Sequence, residues 1–322
     1  MSQLLKVGAK VAMRDIFGET LLQLTQEDSK VLVLDGDLAN STKIDMVAKG
    51  NPTQFLQMGI AEQNMMGVAA GLSTVGFQPW VCTFASFITK RALDQIVVSI
   101  AQPQLNVKMI GAYSGLLTGV TGKTHQGLED LAIMRSIPNM VVLAPADGIE
   151  LIKAMQFAYR YDGPVYIRVV RDAQRQIFES DKHQFELGKG VLVKEGSDLT
   201  IISTGSQTER TLEAAEFLEQ EGIKASVLHM PTIKPLDEEA VIRAARQTGA
   251  IVVAEEHSII GGLGSAVAEI LGEHYPTPMT RVGVKDKNSE SGPNEDLLKK
   301  YNISPIDIVI KAREILNRKK QS

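Results

Sequence analysis

The sequence predicts an α/β protein of two domains, each built on parallel strands joined by crossover helices. Three observations point to this. Short apolar runs alternate with segments of helical period, the alternation lapses once into a polar stretch from Asp172 to Lys189, and it then resumes with different connection lengths. At 322 residues the chain is long enough for each part to bury its own core. The expected division is a first domain over residues 1–175, a linker over 176–190 and a smaller second domain over 191–322.

In the first domain, strands are expected near Val31–Leu34, Phe55–Met58, Gln78–Val81, Val107–Ile110, Met140–Leu143 and Val165–Val169. Helices are expected over Ala61–Ser73, Phe87–Ala101 and Ile149–Tyr161, the last opened by Asp147 and Glu150 at capping-box spacing. The Ala61–Ser73 segment follows a glycine break and enters its helix through Glu62. It carries Gly67 and Gly71 four residues apart. Each glycine costs a helix about 1 kcal/mol relative to alanine, so close approach of another backbone and a buried helix are expected. The second domain is read as strand Leu199–Ile202, a helix from Ser206 with Glu209 three residues on, strand Ala225–Leu228, helix Asp237–Gln247, strand Ile251–Ala254, a helix opening at Ser265, strand Thr280–Val284 and closing helices through Asn317. The basic end, Arg318-Lys319-Lys320, reads as a solvated tail.

Composition removes several classes of function. A formal charge of -4 and the lack of a Lys/Arg cluster give no field for nucleic acid. Met1–Lys6 lacks an apolar signal core, and no apolar run approaches the roughly eighteen residues of a membrane span, so a cytoplasmic protein without a membrane partner is expected. The single cysteine, Cys82, excludes an intrachain disulfide or a multi-cysteine zinc site and reads as a small buried hydrophobe.

Four blocks stand out in order: Gly59-Ile60-Ala61-Glu62-Gln63-Asn64, Thr83-Phe84-Ala85-Ser86-Phe87, Thr124-His125-Gln126-Gly127 through Ile137-Pro138-Asn139-Met140, and Glu255-Glu256-His257-Ser258 through Gly264. Singly, each has an ordinary explanation. A lone Glu62 complements the positive end of a helix, worth about 0.3–1 kcal/mol. Phenylalanines three apart are commonly core, and a lone histidine is commonly a satisfied structural residue. The glycines after His257 suit a strand-to-helix turn and do not match a phosphate loop, and the first strand turn lacks a dinucleotide-binding glycine pattern. Together and in this order the blocks resemble the pyrimidine-binding and carboxy-terminal domains of transketolase over nearly the whole chain. The sequence is similar to the carboxy-terminal subunit of a split transketolase. The resemblance implies a parallel-sheet thiamin pyrimidine-binding domain followed by a transketolase-type α/β domain.

It also implies a set of roles. Thiamin diphosphate carries the chemistry, and the protein orients and polarises it. Glu62 matches the glutamate that hydrogen-bonds N1′ of the aminopyrimidine. Phe84 and Phe87 match aromatic side chains packed on that ring, a contact worth about 0.5–1.5 kcal/mol beyond burial; Lys90 stands where many relatives have a third aromatic. Asp37, in Asp35-Gly36-Asp37-Leu38, matches an acidic position near the thiazolium, although Asp and Gly favour strand-end turns in any protein. Ser41 and Arg171 match positions that touch substrate phosphate, for which a guanidinium is suited. His125, following the Gly115–Gly122 loop, matches the histidine that reaches donor-sugar oxygens, where imidazole can donate as oxyanion character develops.

Two departures bear on substrate. Relatives carry Gly-Glu-Asp-Gly before the histidine block, the aspartate reading an acceptor hydroxyl; here the segment is Gly119-Val120-Thr121-Gly122. A second family histidine, twelve residues upstream of His125, is replaced by Tyr113. Thr121 can still hydrogen-bond and Val120 cannot, so a less acidic acceptor pocket is expected, and a branched ketose phosphate such as apulose 4-phosphate becomes a candidate donor. The chain also lacks the Gly-Asp-Gly with a following Asn through which such enzymes hold metal and diphosphate. No metal ligand is assigned here. An amino-terminal partner subunit is expected to hold Mg2+ or another divalent ion, in a two-fold symmetric heterotetramer acting on sugar phosphates. A deoxyxylulose phosphate synthase-like enzyme, a 2-oxo acid dehydrogenase beta-type chain, and a non-catalytic assembly subunit of the same fold are the alternatives.

Overall fold

The computed structural model describes residues 5–319. Its strands in chain order are β1 (Lys10–Ala12), β2 (Val31–Asp35), β3 (Phe55–Gln57), β4 (Gln78–Phe84), β5 (Lys108–Ala112), β6 (Val141–Leu143), β7 (Val165–Val169), β8 (Ala173–Arg175), β9 (Val191–Lys194), β10 (Leu199–Ser203), β11 (Ala225–His229), β12 (Thr232–Lys234), β13 (Ile251–Ser258) and β14 (Met279–Val284). Seven strands make one sheet in the order β12-β6-β7-β5-β4-β2-β3, five make a second in the order β14-β13-β10-β11-β9, and β1 pairs with β8. Among the described residues, only β12 and β9 run antiparallel within the two larger sheets. β2, β5 and β7 are buried along their whole length, as strands covered on both faces by crossover helices must be.

Register aligns the carboxyl ends of four parallel strands. Asp35 lies beside Cys82, Phe84 beside Ala112, and Ala112 beside Val169. The chain leaving this edge carries Asp37, Phe87, Tyr113 and Arg171. Open parallel sheets present ligand sites at this edge.

The helix Glu62–Thr74 buries Glu62, Met65, Met66, Ala69 and Ala70, a stripe of helical period. Its opposite face is exposed. An added Cβ at Gly67 or Gly71 would meet nothing within 4 Å among the described residues. The expectation of a buried helix with a backbone against its glycines is therefore corrected within this chain.

Other expectations change too. The single helix over Phe87–Ala101 is broken: Ala85–Arg91 ends as Ala92 leaves helical geometry at φ -106°, and Ile96–Ala101 forms a wider π turn that carries Ile96 and Ile100 into the core. The apolar period runs through the break and hid it. The polar stretch Asp172–Lys189 contains β8 and buries Gln174, Gln176, Phe178 and His183. Ser206 does not cap its helix, because its hydroxyl donates to Glu256 instead. Lys319 donates to the carbonyls of Thr248 (2.7 Å) and Asp198 (3.1 Å) rather than trailing in solvent; Lys320 lies outside the described residues. Asp147 does cap, accepting from Glu150 N at 2.8 Å.

The two sheets are tied together. β12, from the second half of the chain, completes the edge of the first sheet beside β6. One apolar cluster joins Leu34, Met65 and Val142 to Ile202, Leu228 and Val253. Buried Glu150 accepts from Ala146 N at 2.7 Å, with His229 Nε2 2.7 Å from Oε2 and His183 Nε2 3.2 Å from Oε1. No helix among the described residues is long and apolar enough to cross a membrane.

Candidate active site

Glu62 opens its helix without a capping side chain on the residue before it, so its carboxylate sits at the positive helix end. It is fully buried. Oε2 lies 2.6 Å from Arg91 Nη1, while Oε1 meets no hydrogen-bond partner among the described residues. Leaving a buried acceptor unmet costs about 1–3 kcal/mol, and a ligand donor would remove that cost. The Arg91 guanidinium lies 4.8 Å from the centre of the Phe87 ring, linking the carboxylate to an aromatic cluster.

That cluster is continuous. Phe84 and Phe87 are 5.7 Å apart between ring centres, and His125 meets both edge-on, at 5.7 and 5.2 Å. Thr124 Oγ1 is 2.8 Å from His125 Nδ1. Tyr113 stacks on Phe84 at 4.2 Å and 20°, from a backbone at φ 56° that costs a non-glycine residue about 1–2 kcal/mol. Its hydroxyl receives a hydrogen bond from Arg14 Nη1 at 3.0 Å and donates to Ser41 O at 3.4 Å. Arg171 lies over the same ring at 5.3 Å. Thus Glu62, Arg91, Phe87, His125, Phe84 and Tyr113 run in contact from a buried acid to a pair of guanidiniums.

The remaining candidates sit at the margins. Asp37 is exposed in the turn after β2, at φ 65°. That turn is anchored by buried Asp35, which accepts from Leu38 N (3.0 Å) and Gln57 Nε2 (2.7 Å); burial pushes the Asp35 carboxyl up. The Thr121 hydroxyl is tied into its own turn through Thr118 Oγ1 at 2.8 Å, and Val120 beside it is 70% exposed. Lys90 pairs with Glu129 at 2.9 Å on the surface, so the third ring of the cluster is Tyr113 rather than a side chain at position 90.

Two residues escaped the sequence reading. Arg91 was visible as the second charge after the Phe84/Phe87 pair, but its target lies across the fold. Arg14 meets Tyr113 over a separation of 99 residues, and no local pattern announces it. The assembled set fits an aromatic heterocycle with a polar edge, the rings covering its faces and Glu62 Oε1 meeting its edge. The Arg14, Arg171 and Ser41 end fits an anionic group such as phosphate or sulfonate.

Comparison with known proteins finds matches over both parts of the chain. The family model described as "Transketolase, pyrimidine binding domain" matches residues 9–176, and "Transketolase, C-terminal domain" matches 188–308. The 6-deoxy-6-sulfo-D-fructose transketolase subunit SqwH of Clostridium sp. (strain MSTE9) is 43% identical, covering 95% of each chain. A subunit of the apulose-4-phosphate transketolase of Phocaeicola vulgatus is 37% identical over 96% of this chain and 98% of its own. A solved split-gene transketolase, described as an inactive β4 tetramer, superposes with a TM-score of 0.89 at 48% identity, covering 95% of this chain and 99% of that one.

Proposed function

The chain belongs to the transketolase family, and on that premise we propose that it is the carboxy-terminal subunit of a split transketolase, moving a two-carbon glycolaldehyde unit from a ketose phosphate to an acceptor sugar phosphate. The observation that carries this is a buried carboxylate with one oxygen free, beside stacked rings and a histidine, at the carboxyl edge of a parallel sheet. When bound, thiamin diphosphate supplies the nucleophilic carbon that such a transfer requires. Glu62 Oε1 would hold the aminopyrimidine at N1′ and share a proton there, and Phe84 and Phe87 would cover the ring. His125 donates to the donor sugar's oxygens. Asp37 would face the thiazolium, and Thr121 would border the acceptor.

A partner subunit completes the site in this reading. It holds the divalent metal and the diphosphate, for which this sequence has no Gly-Asp-Gly and following Asn. Supporting this, the relatives named above are themselves subunits, and the solved relative described as a tetramer of one chain type is inactive. The exposed face of the helix Glu62–Thr74 suits assembly across a two-fold axis: Gly67 and Gly71 allow close backbone approach, and Ile60 and Val75 at its two ends are 73% and 70% exposed.

Co-expression with the amino-terminal subunit, thiamin diphosphate titration and a ketose/aldose exchange assay test the proposal. Transfer is expected only when both subunits are present. Apulose 4-phosphate, 6-deoxy-6-sulfo-D-fructose and an unbranched ketose phosphate are the donors to compare. Val120 and Thr121, in place of an acidic pair, favour a donor whose cleavage product lacks the hydroxyl that the missing aspartate would read. Turnover restricted to the unbranched ketose would reject that preference. An assembled pair that neither binds the cofactor nor transfers from any donor would favour a non-catalytic subunit.

The anion-binding end has its own test. Arg14→Met and Arg171→Met are each expected to raise the KM of a phosphorylated donor about tenfold to hundredfold, the worth of a charge-assisted hydrogen bond, with a smaller change in kcat. Unchanged KM in both variants would show that the substrate's charge binds elsewhere.

A further inference from the structure

We propose that the second domain is a clamp that holds the His125 loop against the aromatic cluster, with Glu256 as its central positioning residue; the proposal rests on the substrate role assigned to His125 above. The loop leaves β5 at Tyr113 and closes at its neck, where Gly115 N donates to Gly127 O at 2.8 Å and Ser114 bridges Gly127. Between these ends its regular structure is one 3-10 turn at Gly119–Thr121. So short a turn does not by itself define where His125 sits.

Contacts from the second domain supply what the loop lacks. Leu116 and Leu117 inside the neck and Leu128 beyond it are buried in one cluster with Val252, Ala254 and Val282. Leu117 N donates to Glu256 Oε1 at 2.8 Å, and Ser258 N donates to Leu128 O at 2.8 Å. Both partners come from the end of β13, so a single strand end grips the loop on either side of its neck. Just inside the neck, residues 290–294 add two more contacts: Gln126 Nε2 donates to Glu290 O at 3.2 Å and Asn294 Nδ2 to Leu117 O at 3.3 Å.

Glu256 has little freedom to shift. It is fully buried; Ser206 Oγ donates to its other carboxylate oxygen. Arg168 of β7 donates to its backbone carbonyl at 2.7 Å and through Nε to Asp130 Oδ2 at 2.9 Å. Gly115, at φ 75°, passes so close to the Glu256 carboxylate that a Cβ there would collide with it, which is the contact only glycine permits. Glu62, Phe84 and Phe87, by contrast, stand on β4 and the helices flanking it. The cofactor platform and the substrate arm are therefore held by different parts of the molecule and should be separable by mutation.

Two variants test this, Glu256→Ala and the milder Asn294→Ala, each by two readouts. Amide hydrogen exchange on the full chain should quicken about tenfold or more over residues 114–128 and stay unchanged over 62–87. In the complex with the partner subunit, donor KM should rise about tenfold while thiamin diphosphate affinity stays within about twofold of wild type. If Glu256→Ala does not fold, Asn294→Ala carries both measurements. Unaltered exchange in the loop overturns the clamp, as does loss of cofactor affinity in step with donor affinity. A wild-type complex without transfer activity would count against the proposed function, whereas the exchange measurement still decides whether the loop is clamped.

Discussion

Glu62→Gln is expected to lower two-carbon transfer by the reconstituted enzyme about a thousandfold, within the range of lost proton-transfer catalysis, while cofactor affinity changes by less than about tenfold. The substitution keeps the side chain's volume and its ability to form a hydrogen bond at N1′. What it removes is the ability to share a proton there. Arg91 adds a second, smaller expectation. With Nη1 2.6 Å from Oε2, it pins the carboxylate so that Oε1 is the oxygen left for a ligand. Arg91→Met frees that group to rotate and should lower kcat about tenfold. Wild-type turnover in Glu62→Gln would remove the acid from the mechanism and argue for a non-catalytic chain or for a site placed elsewhere.

Glu150→Ala is expected to cost about 3–5 kcal/mol of stability, since it leaves two buried histidines without their shared acid. Its milder relative, Glu150→Gln, exposes the pH dependence. Burial pushes the Glu150 carboxyl up, but His229 and His183 outweigh burial and pull it from 4.5 down to about 2. A carboxyl held below its ordinary range stabilises the fold above that range. Its contribution, about 3 kcal/mol, is lost as pH falls from about 4.5 towards 2. The wild type should therefore give up this stability across that acid window, and Glu150→Gln should be weaker at neutral pH without losing it there. Urea unfolding at a series of pH values measures both, and curves offset by one constant amount at every pH would show that the histidines do not act through this carboxyl.

The strands were readable because a buried parallel strand must be nearly continuous in apolar residues. Val31–Asp35 and Val165–Val169 advertise themselves in that way. Helix ends were less legible where a side chain had a distant competitor. Asp147 caps as its spacing suggests, but Ser206, in the same kind of setting, is drawn off by Glu256 fifty residues on. Within the polar stretch Asp172–Lys189, Gln174, Gln176 and His183 are buried, which their polarity does not announce. At the site, Phe84, Phe87 and His125 form one cluster, and each lies within a recognisable block. Arg14 and Arg91 do not, because their places depend on which strands become neighbours. The exposed side of the helix Glu62–Thr74 was misjudged for a related reason, since two glycines on a helix signal a close neighbour without saying whether it belongs to the same polypeptide.

The crossing strand β12 has a consequence for how this polypeptide can be divided. Thr232–Lys234 comes from the far half of the sequence yet finishes the border of the nearer sheet. Severing the chain near residue 185 would deprive β6 of that neighbour and expose a row of unpaired amides and carbonyls, an invitation to aggregate. Production of either half alone should therefore give insoluble material, and tags or fusions belong at the ends of the chain rather than in the segment that looks most like a hinge.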